Sequence, residues 1–77
     1  MNKTRRVALD KIVITITNAK DELETIRDEE QEALDNIPES LADSERANNM
    51  ENAVSNMDDA INTIEDAISS IEEVITQ

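Results

Sequence analysis

The second half of the chain repeats every seven residues, and this repeat constrains the fold more than any other feature. From Ala53 onward the sequence runs AVSNMDD, AINTIED, AISSIEE and VITQ. Alternate spacing by three and four residues produces two apolar rows: Val54, Ile61, Ile68 and Ile75, and Met50, Met57, Ile64 and Ile71. Such spacing keeps apolar side chains on one side of an α-helix and is typical of coiled coils and helical bundles. We therefore predict a long amphipathic helix over about residues 44–76.

The first half carries a weaker version of the same pattern. One row is Leu9, Ile16, Leu23 and Ile37, with Glu30 at one of its apolar positions, and the other is Ile12, Ala19, Ile26 and Ala33. Residues 12–17 are all β-branched and in isolation would favour a strand. Because the spacing of three and four continues through them, we predict a helix over about residues 4–36. Glu30 is a candidate buried carboxylate if it stays in the seam, but near the closed end of the hairpin we expect it to reach solvent or Arg27.

Pro38 separates the two helical patterns. Proline disfavours helical geometry for the preceding residue, Ile37, and the polar residues that follow offer helix caps. We predict a turn over about residues 37–43, with Asp43 or Ser44 as the N-cap of the second helix. A connection this short makes the two helices an antiparallel hairpin, and residues 1–77 form a single domain.

The two apolar patterns also fix a register, in which the numbers of facing residues sum to about 84. Leu23 then lies beside Ile61. The same register places the basic residues Arg5, Arg6 and Lys11 beside the acid-rich residues 65–73. This charge arrangement favours the antiparallel orientation.

The chain is short and lacks every common internal staple. It has 77 residues, no cysteine and no histidine, which leaves neither a disulfide nor a structural zinc site. Below about 80 residues, a core of this kind stabilises a fold by only about 3–5 kcal/mol, so self-association is expected. The predicted fold is all-α: a coiled-coil-like antiparallel helical hairpin that dimerises into a four-helix bundle.

Two sets of residues are candidates for the oligomer contact. Ala53, Ala60, Ala67 and Val74 widen the apolar stripe to three positions in seven, as in bundle helices, which indicates close approach of a third helix from a second copy or a target. The alternative is that alanine only raises helix propensity. Val13 and Ile14 form the second candidate contact, and the alternative there is a wider core.

The charge is strongly negative and unevenly distributed. Nineteen acids against seven bases give −12, and residues 1–11 hold four bases and one acid, which leaves −15 for residues 12–77. Such a field repels nucleic acid and anionic membranes and attracts basic proteins. Paired acids recur along the second helix and are the candidate partner-binding residues: Asp58, Asp59, Glu65, Asp66, Glu72 and Glu73. The alternative is a solvated face that only provides solubility.

No motif for catalysis, cofactor binding or metal binding is present. Serine nucleophiles lack a histidine base, calcium loops need a glycine turn, and di-iron bundles need histidine. A rod of two helices also offers no partly dry cleft for a carboxylate pair. We predict a protein that is not an enzyme. Without an apolar stretch long enough for a signal peptide or a membrane span, we expect a cytoplasmic location.

The stretch IPESLADSERANNMENAVSNMDDAINTIEDAISSIEE, with DELETIRDEEQEALDNIPES before it, resembles a group of short acidic proteins from phages, prophages and mobile elements of Gram-positive bacteria. In that group an IPE-x-L-x-x-SER turn precedes acidic and aliphatic heptads. The likeness covers about residues 20–73, and the turn motif is its most specific part. It implies a phage-like source and contributes no catalytic residues.

Two functions follow as hypotheses. In the first, the chain binds and blocks a host protein with a basic surface, as an anti-defence inhibitor that occupies a nucleic-acid-binding site. In the second, it is a structural bundle that assembles only with itself, and its acids serve solubility.

Overall fold

The computed structural model describes residues 1–77 and contains two long helices joined by a short turn. Helix α1 is Lys3–Asp35 and helix α2 is Glu45–Ile75, with a single 3-10 turn, Glu39–Leu41, between them. The two helices pack against each other as a hairpin, and there is no strand. The Cα atoms extend over 60 × 15 × 13 Å. The predicted all-helical hairpin is confirmed.

Side chains cap the N-terminus of each helix. The Asn2 Oδ1 atom accepts a hydrogen bond from the backbone N–H of Arg5 at 2.9 Å. The Ser44 Oγ atom accepts one from the backbone N–H of Ala47 at 3.2 Å, which makes Ser44 the N-cap of α2. These bonds satisfy backbone donors that a helix leaves unpaired at its start.

The turn reverses the chain without glycine. Pro38 is extended, with φ −57° and ψ 144°, and its carbonyl accepts the backbone N–H of Leu41 at 2.8 Å. No residue of the chain has a positive φ. Proline therefore ends α1 and also opens the 3-10 turn that leads into α2.

The buried core comes entirely from α2 and lies in the half of the hairpin near the turn. Ala47, Met50, Val54 and Ile61 are the four buried residues of the chain. Further along α2 the apolar residues that face α1, from Ile64 to Ile75, are only half-buried. Both predicted rows of α2 thus form the seam between the helices, and most of the seam residues remain partly exposed.

Helix α1 contributes one predicted row to the seam and one that was not predicted. The row containing Leu9, Ile16 and Leu23 is half-buried, as expected. The expected second row is wrong, because Ile12 is 45% exposed and Ile26 is 55% exposed. Its place is taken by half-buried residues one position further along the chain, namely Val13, Lys20, Arg27 and Leu34. The long stems of lysine and arginine can cover apolar surface while their charged ends reach polar partners.

Three cross-helix contacts define the register of the hairpin. They join Arg6 to Gln77, Lys20 to Glu65 and Arg27 to Asp58. In each pair the residue numbers add up to 83 or 85, in agreement with the predicted sum of about 84.

Candidate interaction surfaces

One side of the hairpin is ionic, and Arg27 is its best-connected residue. The Arg27 Nε atom lies 2.8 Å from Asp58 Oδ1, and Nη2 lies 3.4 Å from Oδ2, so the guanidinium contacts both carboxylate oxygens. The hydrogen bond with Asp58 raises the pKa of Arg27 above its ordinary value, while a partial loss of hydration acts in the opposite direction. Asp58 therefore has a partner within its own chain.

Lys20 makes weaker contacts on the same side. Its Nζ atom lies 3.8 Å from Glu65 Oε1 and 3.8 Å from Glu24 Oε1. The predicted register places the N-terminal bases beside the acid-rich residues 65–73, but no ion pair joins the two segments. Arg6 donates instead to the backbone carbonyl of Gln77 at 2.9 Å, and neither Arg5 nor Lys11 forms an ion pair.

The other acids of the predicted partner-binding set are free. Asp59, Asp66, Glu72 and Glu73 are exposed, and none of them forms an ion pair. Acids one heptad apart recur about every 10.5 Å along the helix. Four unneutralised carboxylates thus line the ionic side and the outer surface of α2 from its middle to its C-terminal end.

The opposite side of the hairpin is apolar. On α2 it carries the alanine row, which comprises Ala53, Ala60, Ala67 and Val74; Ala60 and Ala67 are exposed and the other two are half-buried. At 100° per residue this row flanks the seam on the side away from Asp58 and Glu65.

Helix α1 adds a second row to the same side. Because Lys20 and Arg27 face the acids of α2, the residues just before them in the chain lie beyond the other edge of the seam. These are the isoleucine row, Ile12, Ala19, Ile26 and Ala33, all of them exposed. The alanine row and the isoleucine row together form what we call the apolar face.

The structure separates the two residues of the other candidate contact. Val13 is half-buried in the seam, whereas Ile14 is 60% exposed. Ile14 lies two positions after Ile12 and therefore about 200° around the helix from the apolar face. Val13 and Ile14 form no common patch.

The apolar face is bordered on α2 by neutral residues. Next to the alanine row around the helix, on the side away from the seam, lie Asn49, Asn56, Thr63 and Ser70. Every acid of α2 after Glu45 lies on the ionic side or the outer surface. A chain with a net charge of −12 therefore keeps one side of α2 free of acids.

A surface groove of about 400 Å³ lies where the apolar face reaches the turn. It is lined by Glu30, Glu45, Arg46, Asn49 and Met50. Glu30 is half-buried there and forms no ion pair with Arg27, so of the two expected contacts, with solvent or with Arg27, the second is absent.

Hydrophobic spacing within α1 does not identify the isoleucine row as part of an outer surface. Two rows of α1 alternate by three and four residues with the row of Leu9 and Leu23: the isoleucine row, and the row that contains Val13, Lys20 and Arg27. Either could complete the seam by spacing alone. The signal that distinguishes the two choices lies on α2, where Asp58 and Glu65 follow the seam at positions that basic residues of α1 can reach. Cross-helix charge pairing would therefore have selected the observed row.

Neither helix combines the length and hydrophobicity that a membrane span requires. No group of three or more acidic, cysteine or histidine side chains is arranged to hold a metal ion. No protein family model, curated protein or solved structure matches the chain.

Proposed function

We propose that the chain is a non-enzymatic, phage-type interaction protein that acts in the host cytoplasm. Its exposed acids bind a basic surface on a host protein and block that surface. A defence protein with a groove for nucleic acid is the kind of partner that fits. The observation that carries the proposal is that four acids of the recurring acid pairs on α2 are exposed and have no ion pair, namely Asp59, Asp66, Glu72 and Glu73.

Free carboxylates are available to a partner at low cost, because no internal ion pair must first be broken. Asp58 is different, since it would have to leave Arg27. Long-range attraction between a strongly acidic protein and a basic groove raises the association rate and weakens as salt is added. We therefore assign the main contact to the free acids and a smaller contribution to Asp58 and Glu65.

Charge density favours electrostatic steering over close mimicry of DNA by one copy. A net charge of −12 over 60 Å is one charge per 5 Å. Duplex DNA carries one per about 1.7 Å. Two copies side by side would halve the spacing of the charges to about 2.5 Å, so competition with nucleic acid is strongest for a dimer.

The test compares two variants with equal net charge. The first neutralises free acids of α2 through Asp59→Asn, Asp66→Asn and Glu73→Gln. The matched control neutralises three exposed acids of α1 that also lack ion pairs, through Asp21→Asn, Glu22→Gln and Glu29→Gln. Proteins retained from a Gram-positive bacterial lysate by the immobilised chain are identified by mass spectrometry, purified and titrated against all three chains.

We expect the α2 variant to lose at least tenfold in affinity and the α1 control to lose much less. Affinity should also fall steeply between about 50 and about 500 mM salt, because the Debye length shortens over this range. Equal losses in the two variants, or affinity independent of salt, would exclude the acids of α2 as the binding site.

The apolar face supports a second candidate function, a structural bundle that assembles only with itself. In that case the acids provide solubility, and neutralising them leaves the protein's activity unchanged. Replacing Ala60 and Ala67 with Glu, by contrast, dissociates the oligomer and abolishes the activity. The two candidates thus differ in which side of α2 the function depends on.

A further inference from the structure

The apolar face is left uncovered by its own chain. It runs over residues 12–33 and 53–74, about 32 Å of helix at 1.5 Å per residue, and the hairpin is 15 Å wide. Two copies placed face to face would bury about 1,000 Å² in total, the size of a small specific interface. A second hairpin of the same length is thus large enough to cover the face.

The order of large and small residues on this face is informative. By the register of the hairpin, four layers follow one another from the chain termini to the turn. Ile12 lies level with Val74, Ala19 with Ala67, Ile26 with Ala60, and Ala33 with Ala53. The first layer is therefore bulky and the last is small, so the face is wedge-shaped.

We propose that a second copy of the chain covers the apolar face in an antiparallel, face-to-face arrangement. A two-fold axis between the second and third layers places α1 against α1 and α2 against α2, with the turn of each copy beside the termini of the other. Ile12 then meets Ala33 of the second copy, and Ala19 meets Ile26. Val74 meets Ala53 in the same way. Each bulky residue faces a small one, which keeps the helices evenly spaced.

The parallel arrangement lacks this complementarity. It places α1 against α2 at the same level, so that Ile12 meets Val74 near the termini while Ala33 meets Ala53 near the turn. Two wedges would be joined thick end to thick end, which leaves a gap at the turn. Interfaces pack as densely as protein interiors, so such a gap forfeits contacts.

Charge favours the same orientation. Residues 1–11 carry a net charge of +3, and Lys3, Arg5 and Lys11 have no carboxylate partner in their own chain. Residues 28–51 hold nine acids and one base, a net charge of −8. The antiparallel arrangement brings each basic terminus beside the acidic turn of the other copy, whereas the parallel one brings the two acidic turns together.

Disulfide trapping tests the orientation, because the natural chain has no cysteine. Single-cysteine variants are mixed in pairs under reducing conditions and then oxidised. Ala19→Cys with Ile26→Cys reports the antiparallel contact, and Ala19→Cys with Ala67→Cys reports the parallel one. Asn62→Cys, which is exposed and lies away from the apolar face, is the control for random collision. The mass of the unmodified chain is measured in parallel by light scattering.

We expect a mass near twice 8.6 kDa and at least fivefold more mixed disulfide from the first pair than from the second pair or the control. Three results would overturn the proposal: a monomeric mass at high concentration, preferential trapping of the second pair, or equal trapping of all pairs. None of these results bears on the acidic surface of α2, so the outcome is independent of the proposed function.

Discussion

Two basic residues decide how α1 faces α2. Lys20 and Arg27 occupy seam positions where aliphatic residues are usual, and each reaches an acid that follows the seam of α2. Had α1 used Ile12 and Ile26 instead, both basic residues would lie further from those acids. Less apolar surface of α1 is therefore buried, and the ion pairs determine how α1 is rotated about its own axis.

The charge of Arg27 is insensitive to pH in the physiological range. Its pKa is raised, so any stability that its charged form contributes is present below the unfolded-state pKa and is lost only as pH rises through the folded-state value. Both values lie in strongly alkaline solution. Arg27 therefore contributes no pH dependence of stability near neutrality.

Replacing Lys20 with Leu should stabilise the hairpin. The lysine side chain is 21% exposed, and its two carboxylate contacts at 3.8 Å are long. Such pairs stabilise little, whereas a leucine in the seam buries additional apolar surface. We expect the free energy of unfolding, measured by urea denaturation, to rise by about 1 kcal/mol. Lys11→Leu, at an exposed position, is the control and should bring no gain. A loss of stability in Lys20→Leu would mean that the ion pairs outweigh the added burial.

At the scale of the helices, α2 was predictable and α1 was only partly so. Every seam position of α2 after Ala47 is aliphatic or methionine, so only one face of α2 can pack against α1. The register of the hairpin was predictable from that face. The row of Leu9 and Leu23 on α1 was also predictable. The second seam row of α1 was not predictable, because hydrophobic periodicity favours Ile12 and Ile26 over Lys20 and Arg27. The ion pairs that place Lys20 and Arg27 in the seam are formed with the other helix, α2. The free acids and the alanine row on α2 were identified from the sequence, but the isoleucine row that completes the apolar face was not.

The burial pattern predicts unequal costs for two isoleucines. Ile61 is 8% exposed and packs in the seam of α2, while Ile14 is 60% exposed on the outer surface of α1. We expect Ile61→Ala to lower the free energy of unfolding by about 2 kcal/mol or more. Ile14→Ala should change it by less than about 0.5 kcal/mol, because alanine also has the higher helix propensity. Urea denaturation followed by circular dichroism measures both. Similar losses in the two variants would contradict the difference in burial between Ile61 and Ile14.

At the scale of the whole molecule, the two candidate surfaces lie on different sides of the rod. A dimer formed through the apolar face leaves the ionic sides of its two copies pointing away from each other. Its net charge is then −24, twice the −12 of one chain. Partner binding and self-association are thus compatible, and the dimer offers two equivalent acidic surfaces.

Salt should act on the two associations in opposite directions. Two copies that each carry −12 repel one another overall, although the antiparallel arrangement reduces the repulsion, so screening should strengthen a dimer held by apolar contacts. Screening should weaken the attraction between the free acids and a basic partner. We expect light scattering to show more dimer at about 500 mM salt than at about 50 mM, while partner affinity falls over the same range. A dimer that dissociates as salt is added would mean that charge, and not the apolar face, holds the two copies together.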